Sequence, residues 1–91
     1  MYLKAKAWSK ILYMRSSQIL WAGKLASGID ITITLYSHPD WTSRYITWSC
    51  NTEPRIEDQE RLGEIGGVCD MLNSDMYMAY EPIEFCKEIL G

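Results

Sequence analysis

The sequence predicts a small α+β domain in which helices pack on one face of a short antiparallel sheet. Two segments place apolar residues at helical spacing, and between them lie two segments in which apolar and polar residues alternate. Alternation is typical of antiparallel strands with one buried face, and helices at this spacing can cover that face. With 91 residues the chain can bury one modest core, so residues 1–91 are expected to form a single domain.

The first predicted element is a helix from about Leu3 to Trp21. Its apolar residues recur at steps of three and four, and the segment contains neither Pro nor Gly. Two shorter helices are the alternative, because Ser16 and Ser17 weaken the middle. Gly23 suits the C-terminal end of the helix.

The next two elements are predicted to be the strands of a hairpin. The stretch "GIDITITLY", residues 28–36, alternates strictly and is rich in β-branched residues, and "RYITWSCN", residues 44–51, repeats the alternation. The connecting "SHPDWTS" contains Pro39-Asp40, which is typical of a turn. We therefore expect an antiparallel hairpin with one face toward the helices and the other face wet.

A second helix is predicted from about Ile56 to Asn73. Its apolar stripe faces the sheet and comprises Leu62, Ile65, Cys69 and Leu72. Gly63, Gly66 and Gly67 each cost about 1 kcal/mol relative to Ala within a helix. We interpret these glycines as positions where the helix backbone packs closely on the sheet. A helix broken near Gly66-Gly67 is the alternative.

The last predicted element is a C-terminal strand. Residues 76–81, "MYMAYE", again alternate, and Pro82 ends the strand or confines it to a sheet edge. The following "IEFCKEIL" fits either a continued extended segment or a last helical turn.

Few residues suit a catalytic or metal site. His38 is the only histidine, and its position in the predicted turn favours a solvated surface residue. A hydrolase site would have to pair it with Cys or Ser, without an elbow motif or glycine-rich loop. Cys50, Cys69 and Cys86 lack the spacing of zinc ligands, and an odd, widely spaced set favours reduced thiols in the cytoplasm over disulfides. No catalytic residue, metal or cofactor is therefore predicted.

Charge is distributed unevenly along the chain. Residues 1–29 hold five basic groups and no acid, whereas residues 30–91 hold twelve acids and four basic groups. The two halves could simply neutralise each other in the fold. A net charge of −3 and a pI near 5.0 are a poor footprint for nucleic-acid binding. No apolar run approaches the roughly 18 residues of a membrane span, and no continuous apolar block of a signal peptide is present.

The acids concentrate in "TEPRIEDQERLGEI", residues 52–65, at the start of the second predicted helix. Acids in a first helical turn gain about 0.3–1 kcal/mol from the helix dipole, and Glu57 is spaced to pair with Arg61. These local effects do not explain Glu64. We therefore predict an acidic surface that binds a basic protein, with two aromatic residues as anchors. The predicted contacts are Glu57, Asp58, Glu60, Glu64, Trp41 and Tyr45. A solvated acidic face, with the turn tryptophan folded back onto the body, is the alternative.

A helical start, an alternating hairpin, "EPRIEDQERLGEIGGVCDML" and a last strand together resemble small immunity proteins of bacterial contact-dependent growth inhibition and related polymorphic toxin systems. The resemblance covers roughly residues 19–85. In many such proteins a hairpin precedes a helix that opens with a similar acidic run. The resemblance implies a cytoplasmic, non-enzymatic protein that binds one cognate toxin, commonly a nuclease, and blocks its active site.

Two other functions stay open at this point. One is a small regulatory or structural subunit whose exposed aromatic residues are buried in a homo-oligomer. The other is a small hydrolase that uses His38 and a cysteine.

Overall fold

The computed structural model describes residues 2, 5–14, 16–38, 44–74 and 81–91, and for residues 5–7 only the backbone. Within these ranges the protein is an α+β domain with a three-stranded antiparallel sheet in the order β1-β2-β3, so the predicted class is confirmed. The elements are α1 (Ala5–Ile11), β1 (Ser16–Lys24), β2 (Asp30–Ser37), β3 (Arg44–Cys50), a 3-10 turn (Ile56–Asp58), α2 (Gln59–Asn73) and α3 (Pro82–Leu90).

The core lies between one face of the sheet and the helices α2 and α3. The register pairs Ile31 with Cys50 and Ile33 with Trp48, so these apolar side chains share a face. Helix α2 lies against β3 and helix α3 against β1. The helices contribute buried side chains to the same cluster, namely Ile65, Val68, Cys69, Leu72, Phe85, Cys86 and Leu90. The predicted hairpin and the predicted apolar stripe of α2 are therefore confirmed.

The prediction of a helix from Leu3 to Trp21 is wrong beyond Ile11, because residues 16–24 form the strand β1. A β-bulge in this strand explains the error. Ile19 lies opposite Thr34 and Trp21 opposite Ile33, which leaves Leu20 as the extra residue. Leu20 and Trp21 are both buried, whereas Ile19 is exposed. Two adjacent inward residues destroy the alternation by which a strand is recognised.

The face of the sheet that points away from the helices is less exposed to solvent than the alternation predicts. Thr34, Thr47 and Ser49 are all buried, and the hydroxyls of Thr32 and Ser49 lie 3.2 Å apart within hydrogen-bonding distance. His38 follows β2 directly and is also buried, so the expectation of a solvated turn histidine is wrong.

Side-chain contacts fix the C-terminal end of α2 to the strand β3. The carboxamide of Asn73, the last residue of α2, donates to the carbonyl of Ile46 and accepts from its N–H, both at 2.8 Å. Arg44 donates to the carbonyl of Leu72 at 3.1 Å.

Pro82 occupies the start of α3, where its missing N–H costs nothing. The helical alternative for the tail is therefore correct, and the predicted strand at residues 76–81 lies outside the described residues apart from Glu81.

Candidate functional site

The acidic run around α2 divides into one buried carboxylate and several exposed ones. Asp58 is fully buried. Its Oδ1 accepts from the N–H of Ser27 at 2.9 Å, and its Oδ2 accepts from the Ser27 hydroxyl at 2.6 Å and from the N–H of Arg55 at 2.9 Å. Asp58 therefore ties the start of α2 to the turn between β1 and β2.

These hydrogen bonds also set the charge of Asp58. Desolvation by burial acts to raise the pKa of its carboxyl, but the hydrogen bonds from Ser27 and Arg55, aided by the positive charge of Arg55, outweigh it and lower the pKa. Asp58 is thus an ionised structural group within the fold. Both oxygens of the buried carboxylate are hydrogen-bonded within the fold, so the structure does not place Asp58 to contact a partner as predicted.

The other acids predicted as contacts are exposed. Glu57, Glu60 and Glu64 all lie on the surface. Glu60 and Glu64 lie on one flank of α2 by helical geometry, and Glu57 lies in the 3-10 turn that precedes the helix. The predicted pair between Glu57 and Arg61 is wrong, because Arg61 turns instead toward α3. Its guanidinium donates to the carbonyl of Leu90 at 2.9 Å and lies 3.5 Å from the Glu64 carboxylate.

Arg61 belongs to a contact that joins α2, β1 and α3. Its guanidinium lies 5.6 Å from the ring centroid of Trp21, in cation–π range. The Trp21 indole N–H donates to the carbonyl of Gly91 at 3.2 Å. The ring also lies over Gly23, where an added Cβ would meet Trp21 Cζ2 at 2.7 Å and Cη2 still closer. Gly23 is therefore glycine because the ring occupies the space of a side chain. We call the side of α2 that carries Arg61, together with the N-cap residue Asp58 just before the helix, its anchored side.

The opposite flank of α2 borders an open groove of about 480 Å³ toward β3. Three of its lining residues are the glycines predicted to pack closely on the sheet. We call it the glycine groove, and it is lined by Tyr2, Trp48, Glu53, Pro54, Gln59, Leu62, Gly63, Gly66, Gly67 and Asp70.

The packing prediction for these glycines is wrong. A Cβ added at Gly63, Gly66 or Gly67 would meet no atom within 4 Å. Helix α2 is also continuous through them, so the alternative of a broken helix is wrong as well. The glycines expose a strip of bare helix backbone beside the groove, and we call this flank the open side of α2.

A second groove of about 520 Å³ adjoins the first and shares Trp48, Gly66 and Asp70 with it. Tyr45 lines this second groove. Its ring is half-buried, and the Lys10 ammonium lies 4.6 Å from the ring centroid. None of the acids predicted as contacts lines either groove. The fold thus separates Tyr45 from them, and Trp41 lies outside the described residues.

The cysteines are poorly suited to nucleophilic chemistry. Burial, with a smaller effect of the Asp58 charge, raises the pKa of Cys50 to about 11, and burial chiefly raises that of Cys69 to about 12. Burial also raises the pKa of Cys86. Since the thiolate is the reactive form, a cysteine nucleophile is disfavoured. Cys50 pairs with Ile31 at the far end of β2 from His38, a separation of roughly 20 Å along the strand.

Over the ranges that the structure describes, no group of three His, Cys, Asp or Glu residues is placed to hold a metal ion. Within the same ranges, no helix has both the length and the apolar character that a membrane span requires.

The sequence did not predict the glycine groove. It also did not predict that Tyr2, Trp48, Glu53 and Asp70 lie together along it. The usable signal was the glycine spacing, which places Gly63 and Gly67 one helical turn apart and Gly66 beside them. That pattern marks a bare helix flank, but it does not say whether another element covers it.

No protein-family model matches the chain, and the comparisons with curated proteins and with solved structures give no match either.

Proposed function

We propose that this protein is an immunity protein that binds a cognate bacterial toxin, a nuclease with a basic surface, and neutralises it without catalysis. The observation that carries the proposal is the disposition of charge around α2. Glu60 and Glu64 are exposed along one flank of the helix and Glu57 just before it, and the neighbouring arginine is committed to contacts within the fold.

The use of arginine leaves most of the acidic surface unneutralised, although Arg61 also pairs with Glu64 at 3.5 Å. Arg44 and Arg61 each donate to a carbonyl near the C-terminus of a helix, at Leu72 and Leu90 respectively. Cations at this position interact favourably with the helix dipole. Two of the four basic groups of residues 30–91 therefore make hydrogen bonds within the fold. The exposed acids of α2, α3 and their flanking residues are Glu53, Glu57, Glu60, Glu64, Asp70, Glu81, Glu84 and Glu88.

An acidic surface suits this role for a physical reason. A nuclease concentrates positive charge where it holds the phosphates of its substrate. Carboxylates that approach this region meet the same field as the substrate does, so they speed association and block access together. The proposal places the protein in the cytoplasm, where a toxin delivered into the cell would act.

The proposal expects a nuclease toxin gene that ends directly upstream of this one. The test is a double charge reversal, Glu60→Lys with Glu64→Lys, measured against the nuclease domain of that toxin. Association at low salt is expected to slow by about tenfold, and its dependence on ionic strength should flatten. Stopped-flow binding and inhibition of DNA or RNA cleavage report the two effects. Reversal at Glu84 and Glu88 on α3 makes the same change in net charge and serves as the control.

The acidic flank is not the interface if the reversed protein binds with unchanged rate and salt dependence. The whole proposal fails if the unaltered protein neither binds nor inhibits the nuclease.

A homo-oligomer remains the second candidate because α1 and the turn that follows it expose apolar side chains. Trp8 and Leu12, one turn apart, are 53% and 66% exposed, and Tyr13 is 70% exposed. Sedimentation of the purified protein separates the candidates: a stable dimer that protects Trp8 favours the oligomer, and a monomer favours the inhibitor.

A further inference from the structure

We propose that the glycine groove receives a lysine- or arginine-bearing segment of the protein partner. This inference rests on the proposed function for the identity of the partner, and it names a docking site that lies apart from Glu57, Glu60 and Glu64. Three properties of the groove carry it: its aromatic wall, its two carboxylates and its bare helix flank.

The aromatic wall is formed by Tyr2 and Trp48. Their ring centroids lie 6.1 Å apart with an interplanar angle of 28°, so the rings are stacked. Tyr2 is fixed by backbone pairing with Cys50, whose N–H donates to the Tyr2 carbonyl at 3.2 Å. Trp48 is only 8% exposed and Tyr2 is half-buried, so it is chiefly the Tyr2 ring, held in place on Trp48, that offers the apolar stem of a lysine or arginine a surface and its charged head a cation–π contact.

The charge of the groove selects a cation. Glu53 and Asp70 both line it, and among the residues that the structure describes no basic one does. Neither carboxylate makes an ion pair or a hydrogen bond with another residue of the described ranges. Both are exposed, so their negative potential is directed into the groove and the solvent around it. A basic segment is the occupant with complementary charge.

The bare helix flank supplies the space. Glycine within a helix costs about 1 kcal/mol relative to alanine, and three such residues occur at 63, 66 and 67. No described atom needs the room that they leave. The groove of about 480 Å³ is within the range of roughly 300–1,000 Å³ that is usual for ligand sites. Side chains at these positions would narrow the groove, so the glycines leave it wide enough for a side chain of the partner.

The test is an NMR titration with the peptide Ac-Gly-Arg-Lys-Arg-Gly-NH₂, followed through backbone amide signals. Signals of Gly63, Gly66 and Gly67 and the indole N–H of Trp48 are expected to shift, while those of Gly23 and Gly28 stay in place. The neutral peptide Ac-Gly-Gln-Gln-Gln-Gly-NH₂ should leave all of them in place. Removal of one groove charge, Glu53→Gln or Asp70→Asn, should weaken peptide binding about two- to fivefold.

Two further variants separate space from charge. Gly66→Leu fills the groove and should abolish the shifts, whereas Glu84→Gln removes a charge outside the groove and should preserve them. The double variant Gly63→Ala with Gly67→Ala narrows the wall in a helix that alanine favours. Weaker peptide binding in that variant therefore cannot result from unfolding.

The inference is overturned if the basic peptide causes no shifts, if the neutral peptide shifts the same signals, or if Gly66→Leu and the double alanine variant bind as well as the unaltered protein. If one of these results is obtained while the double variant Glu60→Lys with Glu64→Lys still binds the nuclease more weakly, the inhibitor proposal stands. Conversely, a peptide that docks in the groove of a protein that inhibits no nuclease supports the site and removes the proposed function.

Discussion

The two sides of α2 have opposite relations to the rest of the molecule. On the anchored side, Asp58 and Arg61 reach a turn and another helix through hydrogen bonds of 2.6–2.9 Å. Arg61 also reaches the strand β1 through its contact with the Trp21 ring at 5.6 Å. On the open side lie three glycines, and a Cβ added at any of them would meet no atom within 4 Å. Both sides belong to one continuous helix of 15 residues.

This difference separates the residues that hold the fold from those that do not. Contacts on the anchored side join segments distant in sequence, so their loss should destabilise the protein. Glycines on the open side lower helix stability and receive no packing in return. The open side is therefore the part of α2 whose composition folding does not explain.

The largest effect is expected at Asp58. In Asp58→Asn one carboxylate oxygen becomes an N–H donor, so it can no longer accept from Arg55 or Ser27. An unsatisfied buried N–H group then remains. We expect the melting temperature at pH 7 to fall on the order of 10 °C for a domain of this size, as measured by circular dichroism. Glu57→Gln, which removes the charge of an exposed neighbour, is the control and should change the melting temperature little.

The effect at Asp58 should depend on pH. Because the folded protein lowers the pKa of this carboxyl below its ordinary value of 3.8, its stabilising contribution is complete above that value. The contribution is lost as the pH falls through the folded pKa. The difference in melting temperature between the native protein and Asp58→Asn should therefore shrink from pH 7 to about pH 3. A difference that stays constant would show that the charge of Asp58 contributes nothing to stability.

A smaller loss is expected for Arg61→Ala. The substitution removes the hydrogen bond to Leu90 and the contact with the Trp21 ring, which together stabilise the protein by about 1–1.5 kcal/mol. Chemical unfolding in urea measures this loss. Lys87→Ala removes only a 3.9 Å exposed pair with Glu84 and should cost less than about 0.5 kcal/mol. If Glu64→Gln costs as much as Arg61→Ala, the pair with Glu64 and not the contact with α3 is responsible.

The smallest effect has the opposite sign. Gly63→Ala and Gly67→Ala should each stabilise the protein by up to about 1 kcal/mol, because alanine favours the helix and the space for its methyl group is free. Gly23→Ala is the matched control, since its Cβ would collide with the Trp21 ring and should destabilise. Urea unfolding of the three variants measures both signs. Destabilisation at positions 63 and 67 would show that the open side is covered.

The sequence predicted those parts of the fold whose pattern is local. Strict alternation located β2 and β3 because each strand turns one apolar face to the core. Helix α2 was recognisable because Ile65, Cys69 and Leu72 keep helical spacing. Strand β1 was missed because Leu20 and Trp21 both point inward at a bulge, a pairing that depends on β2 and leaves no periodic trace.

The candidate site was less predictable because it depends on distant neighbours. In the sequence Asp58 cannot be distinguished from the other acids of its run. Its role as a buried anchor depends on the hydrogen bond with Ser27, 31 residues earlier. Arg61 was expected to pair with Glu57, but in the fold it donates to the carbonyl of Leu90 and pairs with Glu64. The glycines were noticeable in sequence, yet whether they face a sheet or an open groove is decided by how α2 lies on β3.

The carboxamide of Asn73 has a consequence for the behaviour of the protein in solution. By bonding both the N–H and the carbonyl of Ile46, it copies the hydrogen bonds of a neighbouring strand, and Tyr2 does the same at Cys50. Strand β3 is thereby closed at two positions along its outer edge. An open edge of this kind is a template on which other chains can add strands and aggregate. We therefore expect this single amide side chain to hinder the addition of strands at this edge of the sheet.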